Sequence, residues 1–131
     1  MAKVLYVDYD LERIVAFQEL FSKNHNIDIA MHGWDGLGST LMYKPEIVIL
    51  NIMVPVMNGI EMLRLIRTES EFHHTPILGF TLDQNLDVEK VALQTGCSEI
   101  VPYPFTEELG HTIQKHLDQV KALEDQTEEN S

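Results

Sequence analysis

The apolar run IVIL at residues 47–50, which ends at Asn51, constrains the fold more than any other stretch of the chain. A strand can be this apolar only if both of its faces are covered, as they are at the centre of a parallel sheet. A loop with Pro55 and Asn58 follows and leads into a helical pattern. Asn51 is therefore expected at the carboxyl end of a central strand, the edge at which open α/β sheets bind their ligands. An asparagine at that edge carries no charge and is a poor nucleophile.

Apolar residues along the rest of the chain alternate between strand and helix spacing. We predict strands at residues 3–7, 27–31, 47–50, 76–81 and 99–102, and helices at 11–23, 35–43, 59–69, 87–95 and from 106 to about 123. Five strand–helix pairs with short connections predict an α/β fold, a (βα)5 doubly wound five-stranded parallel sheet with helices on both faces. We expect one domain at residues 1–123. Residues 124–131 are acidic, lack apolar side chains and are predicted to form a disordered tail.

The composition limits the class of protein and its partners. A length of 131 residues with 44% hydrophobic residues suits one globular domain. The formal net charge of −12 repels nucleic-acid phosphates and anionic lipid, so neither is expected as a partner. No apolar run is long enough to span a bilayer, no signal peptide is recognised, and the single cysteine, Cys97, suits a reducing compartment. We therefore expect a cytoplasmic protein.

Polar and aromatic side chains follow the predicted strands at their carboxyl ends. Because parallel strands end at the same edge of a sheet, six of these residues should lie close together: Asp8, Tyr9, Asp10, Asn51, Thr81 and Tyr103. Asp10 is expected to cap the first helix, although a shift by one residue would let it act as a second acid of the site. No Walker loop, Gly-x-Ser-x-Gly elbow or His-Glu-x-x-His occurs, and the histidines lack zinc-binding spacing. We expect neither common hydrolase chemistry nor zinc.

Four motifs at these positions resemble the receiver domain of two-component response regulators. KVLYVDYD resembles its acidic first turn, VILNIMVPVMNG its phosphoacceptor strand and loop, ILGFT its hydroxyl-bearing fourth strand, and VPYPF its lysine–proline corner. The motifs occur in order, and the resemblance covers about residues 3–120. It implies the flavodoxin-like receiver fold and a role in bacterial two-component or phosphorelay signal transduction.

The resemblance also implies roles for individual residues at the sheet edge. In the family, two adjacent acids and an aspartate bind Mg²⁺, the aspartate accepts a phosphoryl group from a kinase, and a hydroxyl and a lysine bind the phosphoryl oxygens. Asp8 matches the first acid and Thr81 matches the hydroxyl. Tyr9, Asn51 and Tyr103 stand where the second acid, the phosphoacceptor and the lysine belong. Three of the five active positions therefore depart from the family pattern.

These departures predict a vestigial phosphorylation site at Asn51, Thr81 and Tyr103 and a vestigial acidic site at Asp8, Tyr9 and Asp10. The loss of two carboxylates removes charge that attracts Mg²⁺, and the loss of the lysine removes the cation that would balance them. We expect the remaining groups to satisfy one another by hydrogen bonds, without metal or cofactor, while the two tyrosines fill and close the pocket. An engineered asparagine in place of aspartate would leave the same expectation, because the tyrosines would still make the site defective.

The hypothesis that follows is a non-enzymatic pseudo-receiver, which acts by phosphorylation-independent protein binding. In the family, partners and dimer mates use the face of the fourth helix, fifth strand and fifth helix, which is about residues 87–122 here. Its plausible contributors are Val88, Val91, Ile100, His111 and Lys115. Ile100 also matches the aromatic residue that turns inward on activation in many receivers. The expected partner is a kinase, an effector or a second copy of the chain.

Two alternatives stay open at this point. The chain could still carry phosphate on Asp8, Asp10 or Thr81, or the two tyrosines could shape a site for a small ligand. Trp34, in the loop after the second strand, is expected to pack over a helix, with an exposed contact residue as the alternative.

Overall fold

Five strands alternate with five α-helices in the computed structural model, which describes residues 1–129. The strands are β1 (Ala2–Val7), β2 (His25–Ala30), β3 (Ile47–Asn51), β4 (Ile77–Phe80) and β5 (Glu99–Ile100). The helices are α1 (Leu11–Phe21), α2 (Gly33–Tyr43), α3 (Gly59–Arg67), α4 (Leu86–Thr95) and α5 (Glu107–Glu129). Neighbouring strands are parallel in the order β2-β1-β3-β4-β5, which confirms the predicted doubly wound sheet.

Strand β3 lies at the centre of the sheet, between β1 and β4, and all of its residues are buried. Its side chains alternate between two cores, as the period of a strand requires. Val48 and Leu50 face the core that α2, α3 and α4 cover. Ile47 and Ile49 face the core that α1 and α5 cover. The continuous apolar run is therefore explained by helices packed on both sides of the sheet.

The two edge strands differ from the prediction because backbone pairing, and not apolar spacing, sets their limits. Strand β2 begins at His25 and pairs with β1 from Ala2 onward, although Asn26 is exposed. Strand β5 contains only Glu99 and Ile100, since Pro102 lacks the backbone N–H that would continue the ladder. The other strand bounds and most helix bounds agree with the prediction to within about one turn of helix.

Helix α2 begins at Gly33, earlier than predicted, because a glycine at this position lets the helix approach the β3–α3 loop. A Cβ atom added to Gly33 would lie 1.8 Å from the Met57 carbonyl oxygen. The Gly33 N–H donates to the Pro55 carbonyl at 3.3 Å. The β2–α2 and β3–α3 connections are thus in direct backbone contact at the carboxyl edge of the sheet.

The end of the chain differs from the disordered tail that was predicted for residues 124–131. Helix α5 continues through Glu129, so its last turns include residues 124–129. The segment contains Glu and Gln, which are strong helix formers, and it extends a helix that is already anchored on the sheet by Leu109 and Ile113. Residues 130 and 131 lie outside the described part of the chain. No helix within residues 1–129 combines the length and the apolar character needed to cross a membrane.

Candidate functional site

The carboxyl edge of the sheet brings together two of the predicted site residues in direct contact. Asp8 follows β1 and Asn51 ends β3, and both side chains are fully buried. The Asn51 amide nitrogen donates to Asp8 Oδ1 at 3.1 Å. The Asn51 amide oxygen accepts the backbone N–H of Met53 at 3.0 Å, which fixes the start of the β3–α3 loop. Both ends of the Asn51 amide therefore have partners within the chain.

Asp8 is the centre of the site, because its carboxylate accepts five hydrogen bonds from the surrounding chain. The Tyr6 hydroxyl donates to Oδ2 at 2.7 Å, and the Tyr9 backbone N–H donates to Oδ1 at 2.7 Å. Arg13 donates from Nε to Oδ2 and from Nη2 to Oδ1, both at 2.9 Å. With the bond from Asn51, every acceptor position of a carboxylate is in use.

Arg13 is the functional residue that the sequence analysis missed. It lies in the first turn of α1, and its guanidinium also approaches Asp10 at 3.8 Å. Asp10 caps the helix by accepting the Arg13 backbone N–H at 3.0 Å, which confirms the predicted capping role. The Tyr9 ring lies 5.0 Å from the guanidinium carbon and covers it. The signal in the sequence is an arginine placed five residues after the buried acid and three after the cap.

The pKa values at this site favour one charge state. Burial by itself raises the pKa of the Asp8 carboxyl, but hydrogen bonds from Arg13, Tyr6 and Asn51 lower it below its usual value. Burial and the hydrogen bond to Asp8 raise the pKa of the Tyr6 phenol far above its usual range. The hydrogen bond with Asp8 raises the pKa of Arg13 further. At neutral pH the site therefore contains a closed carboxylate–guanidinium pair and a neutral phenol.

Thr81 and Tyr103 lie at the same edge but are not in this network. The Thr81 hydroxyl is buried and donates to Glu89 Oε1 of α4 at 3.2 Å. Tyr103 stacks on Phe80 at 5.5 Å between ring centroids and meets Phe105 edge-on at 5.0 Å. Burial raises the pKa of the Tyr103 phenol. Tyr103 thus covers the end of the α1–α5 core.

Tyr9 is placed differently from the prediction that both tyrosines fill the pocket. Its side chain is 44% exposed and covers Arg13 from outside. The space beside Asp8 is filled by the guanidinium itself. The pocket is closed by an internal ion pair, and Tyr9 forms part of its outer surface.

The residues at this edge do not fit a divalent cation. Mg²⁺ requires oxygen ligands in near-octahedral geometry, and both Asp8 oxygens already accept hydrogen bonds from Arg13. Asp10 is used as a helix cap. Within the part of the chain that the structure describes, no group of three or more His, Cys, Asp or Glu side chains is arranged to hold a metal ion. The guanidinium supplies the positive charge that a cation would bring.

The five predicted partner-face residues are spread over α4, β5 and α5 and do not form a cluster of polar contacts. Val91, His111 and Lys115 are exposed, whereas Val88 and Ile100 are partly buried against the core. Lys115 pairs with Glu99 at 3.0 Å. These positions neither contact Asp8 nor belong to its hydrogen-bond network.

Comparisons of the sequence with family models and with known proteins point to the same family. The family model described as the response regulator receiver domain matches residues 4–115. The chain is 34% identical over 101 residues to the hybrid signal transduction histidine kinase D of Dictyostelium discoideum, covering 76% of this chain and 6% of that protein. It is 31% identical over 107 residues to the response regulator ArlR of Staphylococcus aureus, covering 80% of this chain and 47% of ArlR. The chain thus spans about half of one relative and a small part of the other.

Solved structures share the fold along most of the chain. A receiver domain protein from Clostridium thermocellum superimposes with a TM-score of 0.85 at 22% identity, covering 94% of this chain and 99% of that one. The chemotaxis protein CheY4 of Vibrio cholerae gives a TM-score of 0.78 at 27% identity, covering 88% and 98%. The fold, the family model and the relatives agree, and the chain belongs to the response regulator receiver domain family.

Proposed function

We propose that this chain is an atypical receiver, a pseudo-receiver that takes part in signal transduction through phosphorylation-independent protein binding. Membership of the receiver family supports the signalling role. The observation that carries the finer proposal is the Arg13 fork on the buried Asp8 carboxylate. A site whose acid is already neutralised by its own chain has no need of a metal ion.

The absence of an acceptor carboxylate at Asn51 supports the same proposal. A carboxamide is not a nucleophile toward a phosphoryl group, and its two ends are already hydrogen-bonded to Asp8 and to Met53. A solved receiver domain of the sensor histidine kinase PA1611 from Pseudomonas aeruginosa contains a magnesium ion in its active-site cleft. In this chain the corresponding end of the sheet carries the guanidinium of Arg13.

No specific observation favours either alternative function, the phosphate carrier or the small-ligand sensor. Phosphate transfer through Thr81 would need its hydroxyl, which is bonded to Glu89 at 3.2 Å. Two open cavities, of about 700 and 460 Å³, give no support to a small-ligand site between the tyrosines. Residues such as Met1, His25 and His74 line those cavities, and neither Tyr9 nor Tyr103 does.

The partner face at residues 87–122 remains part of this proposal. Val91, His111 and Lys115 are exposed there, with Lys115 paired to Glu99 and His111 close to Glu108, and their exposed sides can contact another protein. The surface is suited to a kinase, an effector or a second copy of the chain, as the family resemblance implies. Charge-reversing variants at Lys115 and truncating variants at Val91 would measure its contribution to any complex.

The experiment that tests the proposed function is incubation with Mg²⁺ and acetyl phosphate, read by intact mass, and with beryllofluoride, read by fluorine NMR. A receiver with an acceptor aspartate, treated in parallel, shows that both reagents are active. We expect no phosphoryl adduct and no bound beryllofluoride on this chain. A stoichiometric adduct would contradict the proposal, and its loss in an Asp8→Asn variant would favour the phosphate-carrier alternative.

A further inference from the structure

Large apolar side chains are exposed along the carboxyl edge of the sheet. They lie in the β1–α1 and β3–α3 connections and in the first turns of α1, α2 and α4, all of which follow strands that are neighbours in the sheet order. We define the carboxyl-edge apolar surface by its members Tyr9, Leu11, Trp34, Met53, Val56 and Leu86, all of which are exposed. Val56 and Leu86 are each 76% exposed and Trp34 is 58% exposed. Trp34 is therefore exposed, as in the second of the two alternatives given for it above, and does not pack over a helix as expected.

The buried polar network holds parts of this surface in fixed positions. The backbone N–H of Tyr9 donates to Asp8 and that of Met53 donates to Asn51, while Asn51 itself donates to Asp8. The Gly33–Pro55 backbone hydrogen bond ties the start of the Trp34 helix to the loop of Val56. Hydrogen bonds therefore hold the backbone at Tyr9, Met53 and Gly33, and side chains on a fixed backbone lose less entropy on binding.

Val56, in the β3–α3 loop, has an unfavourable backbone conformation. Its φ of 73° lies in the left-handed region, where a β-branched side chain is strained. Its side chain is exposed and packs against no core. A strained apolar residue without a packing role is a signal of function at that position.

We propose that the carboxyl-edge apolar surface binds an amphipathic helix of a partner protein whose polar face is basic. This inference deepens the proposed function and rests on it, because it names the binding surface of a domain that acts by protein binding. An apolar surface with an acidic border fits the apolar face and the basic flanks of such a helix.

The negative charge around the carboxyl-edge apolar surface favours a partner helix with a basic polar face. Exposed or half-exposed carboxylates border the surface: Asp10, Glu12, Asp35, Asp83 and Asp87. Arg13 is the one lysine or arginine within residues 8–14, 31–36, 52–62 and 81–89, and it is paired with Asp8. A second copy of a chain with net charge −12 would meet like charge across this surface.

Trp34 provides a direct measurement, because it is the only tryptophan of the chain and lies in the surface. The probe is a synthetic amphipathic helical peptide of leucine and lysine, and its control is the same pattern with glutamate in place of lysine. We expect the lysine peptide to shift the Trp34 emission to the blue in a saturable, salt-sensitive titration. The glutamate peptide should give no shift.

Two aspartate variants separate apolar contact from simple charge attraction. Val56→Asp removes an apolar contact and adds a negative charge, so attraction alone would strengthen binding of the lysine peptide. We expect binding weaker by about tenfold or more. Met42→Asp adds the same charge at a residue that is 86% exposed near the end of α2, and it should bind like wild type. Val56→Gly, which relieves the strained φ, should also lose affinity.

The proposal is overturned if Val56→Asp binds as tightly as wild type, or if the glutamate peptide binds equally well. It is also overturned if the emission shifts with protein concentration alone, which would assign the surface to a second copy. Loss of binding in Val91→Asp but not in Val56→Asp would assign the peptide to the face at residues 87–122. None of these results affects the beryllofluoride experiment, so failure here leaves the proposed function standing.

Discussion

Replacement of Arg13 by methionine tests how the buried acid is stabilised. Methionine keeps much of the stem length of arginine but cannot donate to Asp8, whose side chain is fully buried. Removing one partner of a buried ion pair costs about 3–5 kcal/mol because the other charge stays buried. Three donors remain on Asp8, from Tyr6, the Tyr9 N–H and Asn51, so we expect a loss near the lower end.

The expected loss in the free energy of unfolding is therefore about 3 kcal/mol at pH 7. For a domain of this size that corresponds to a fall in Tm of about 10 °C. Urea denaturation followed by circular dichroism measures it. The Asp8→Asn single variant and the Arg13→Met/Asp8→Asn double variant complete a cycle in which the two losses should not add. A loss below about 1 kcal/mol for Arg13→Met, typical of a surface ion pair, would refute the reasoning.

The same variant has a defined pH dependence. Because the folded-state pKa of Asp8 is lowered, its stabilising contribution is present above the unfolded-state pKa, which is about 4. That contribution is lost as the pH falls through the lower, folded-state pKa. Loss of Arg13 removes a hydrogen-bonding partner and a charge that lower the pKa of Asp8, so in the variant the carboxyl should become neutral at a higher pH than in wild type. The stability gap between wild type and Arg13→Met should therefore narrow as the pH is lowered, and a constant gap would contradict this account.

Three further changes test other parts of the edge. Asn51→Asp alone should bind Mg²⁺ weakly in calorimetry, whereas Asn51→Asp with Arg13→Gln should bind it more tightly; equal affinities would show that the guanidinium does not block the site. Val56→Gly should leave the free energy of unfolding unchanged or raise it by up to about 1 kcal/mol, since relief of strain offsets the entropy of glycine; a clear loss would mean that the φ of Val56 is not strained. Gly33→Ala should destabilise the fold by about 2 kcal/mol or more, because its Cβ would meet backbone, whereas Gly38→Ala has open space and should be neutral or stabilising. Equal effects of the two alanine variants would contradict the close approach of α2 to the β3–α3 loop.

The central strand could be predicted because a run of apolar residues on both faces of a strand requires burial on both faces. The apolar run before Asn51 requires cover on both faces, and β3 is covered on both. The edge strand β2 gives a weaker pattern, because its residues are mostly half-buried and its limits depend on pairing with β1. Helix α5 continues past Leu123 because helix propensity acts where no apolar contact is needed.

The polar residues of the site could be predicted, but their cation could not. Asp8 and Asn51 follow strands, so topology alone brings them together. Arg13 lies on a helix, where a charged residue between apolar positions is most simply interpreted as solvent-facing. Its inward orientation depends on the geometry of the β1–α1 turn, in which the Asp10 cap sets the start of the helix. The start of α2 beside Trp34 likewise depends on the Gly33 contact with the neighbouring loop, which no sequence pattern indicates.

The central claim is that Arg13 supplies the positive charge of this sheet edge, so that no divalent ion is needed beside Asp8. Titration of the wild-type chain with Mg²⁺, followed by the amide signals of Tyr9 and Met53 in nitrogen–proton NMR spectra, tests it directly, because these N–H groups donate to Asp8 and Asn51. With Arg13 on Asp8, both signals should stay in place up to millimolar Mg²⁺. A saturable shift of both signals would contradict it.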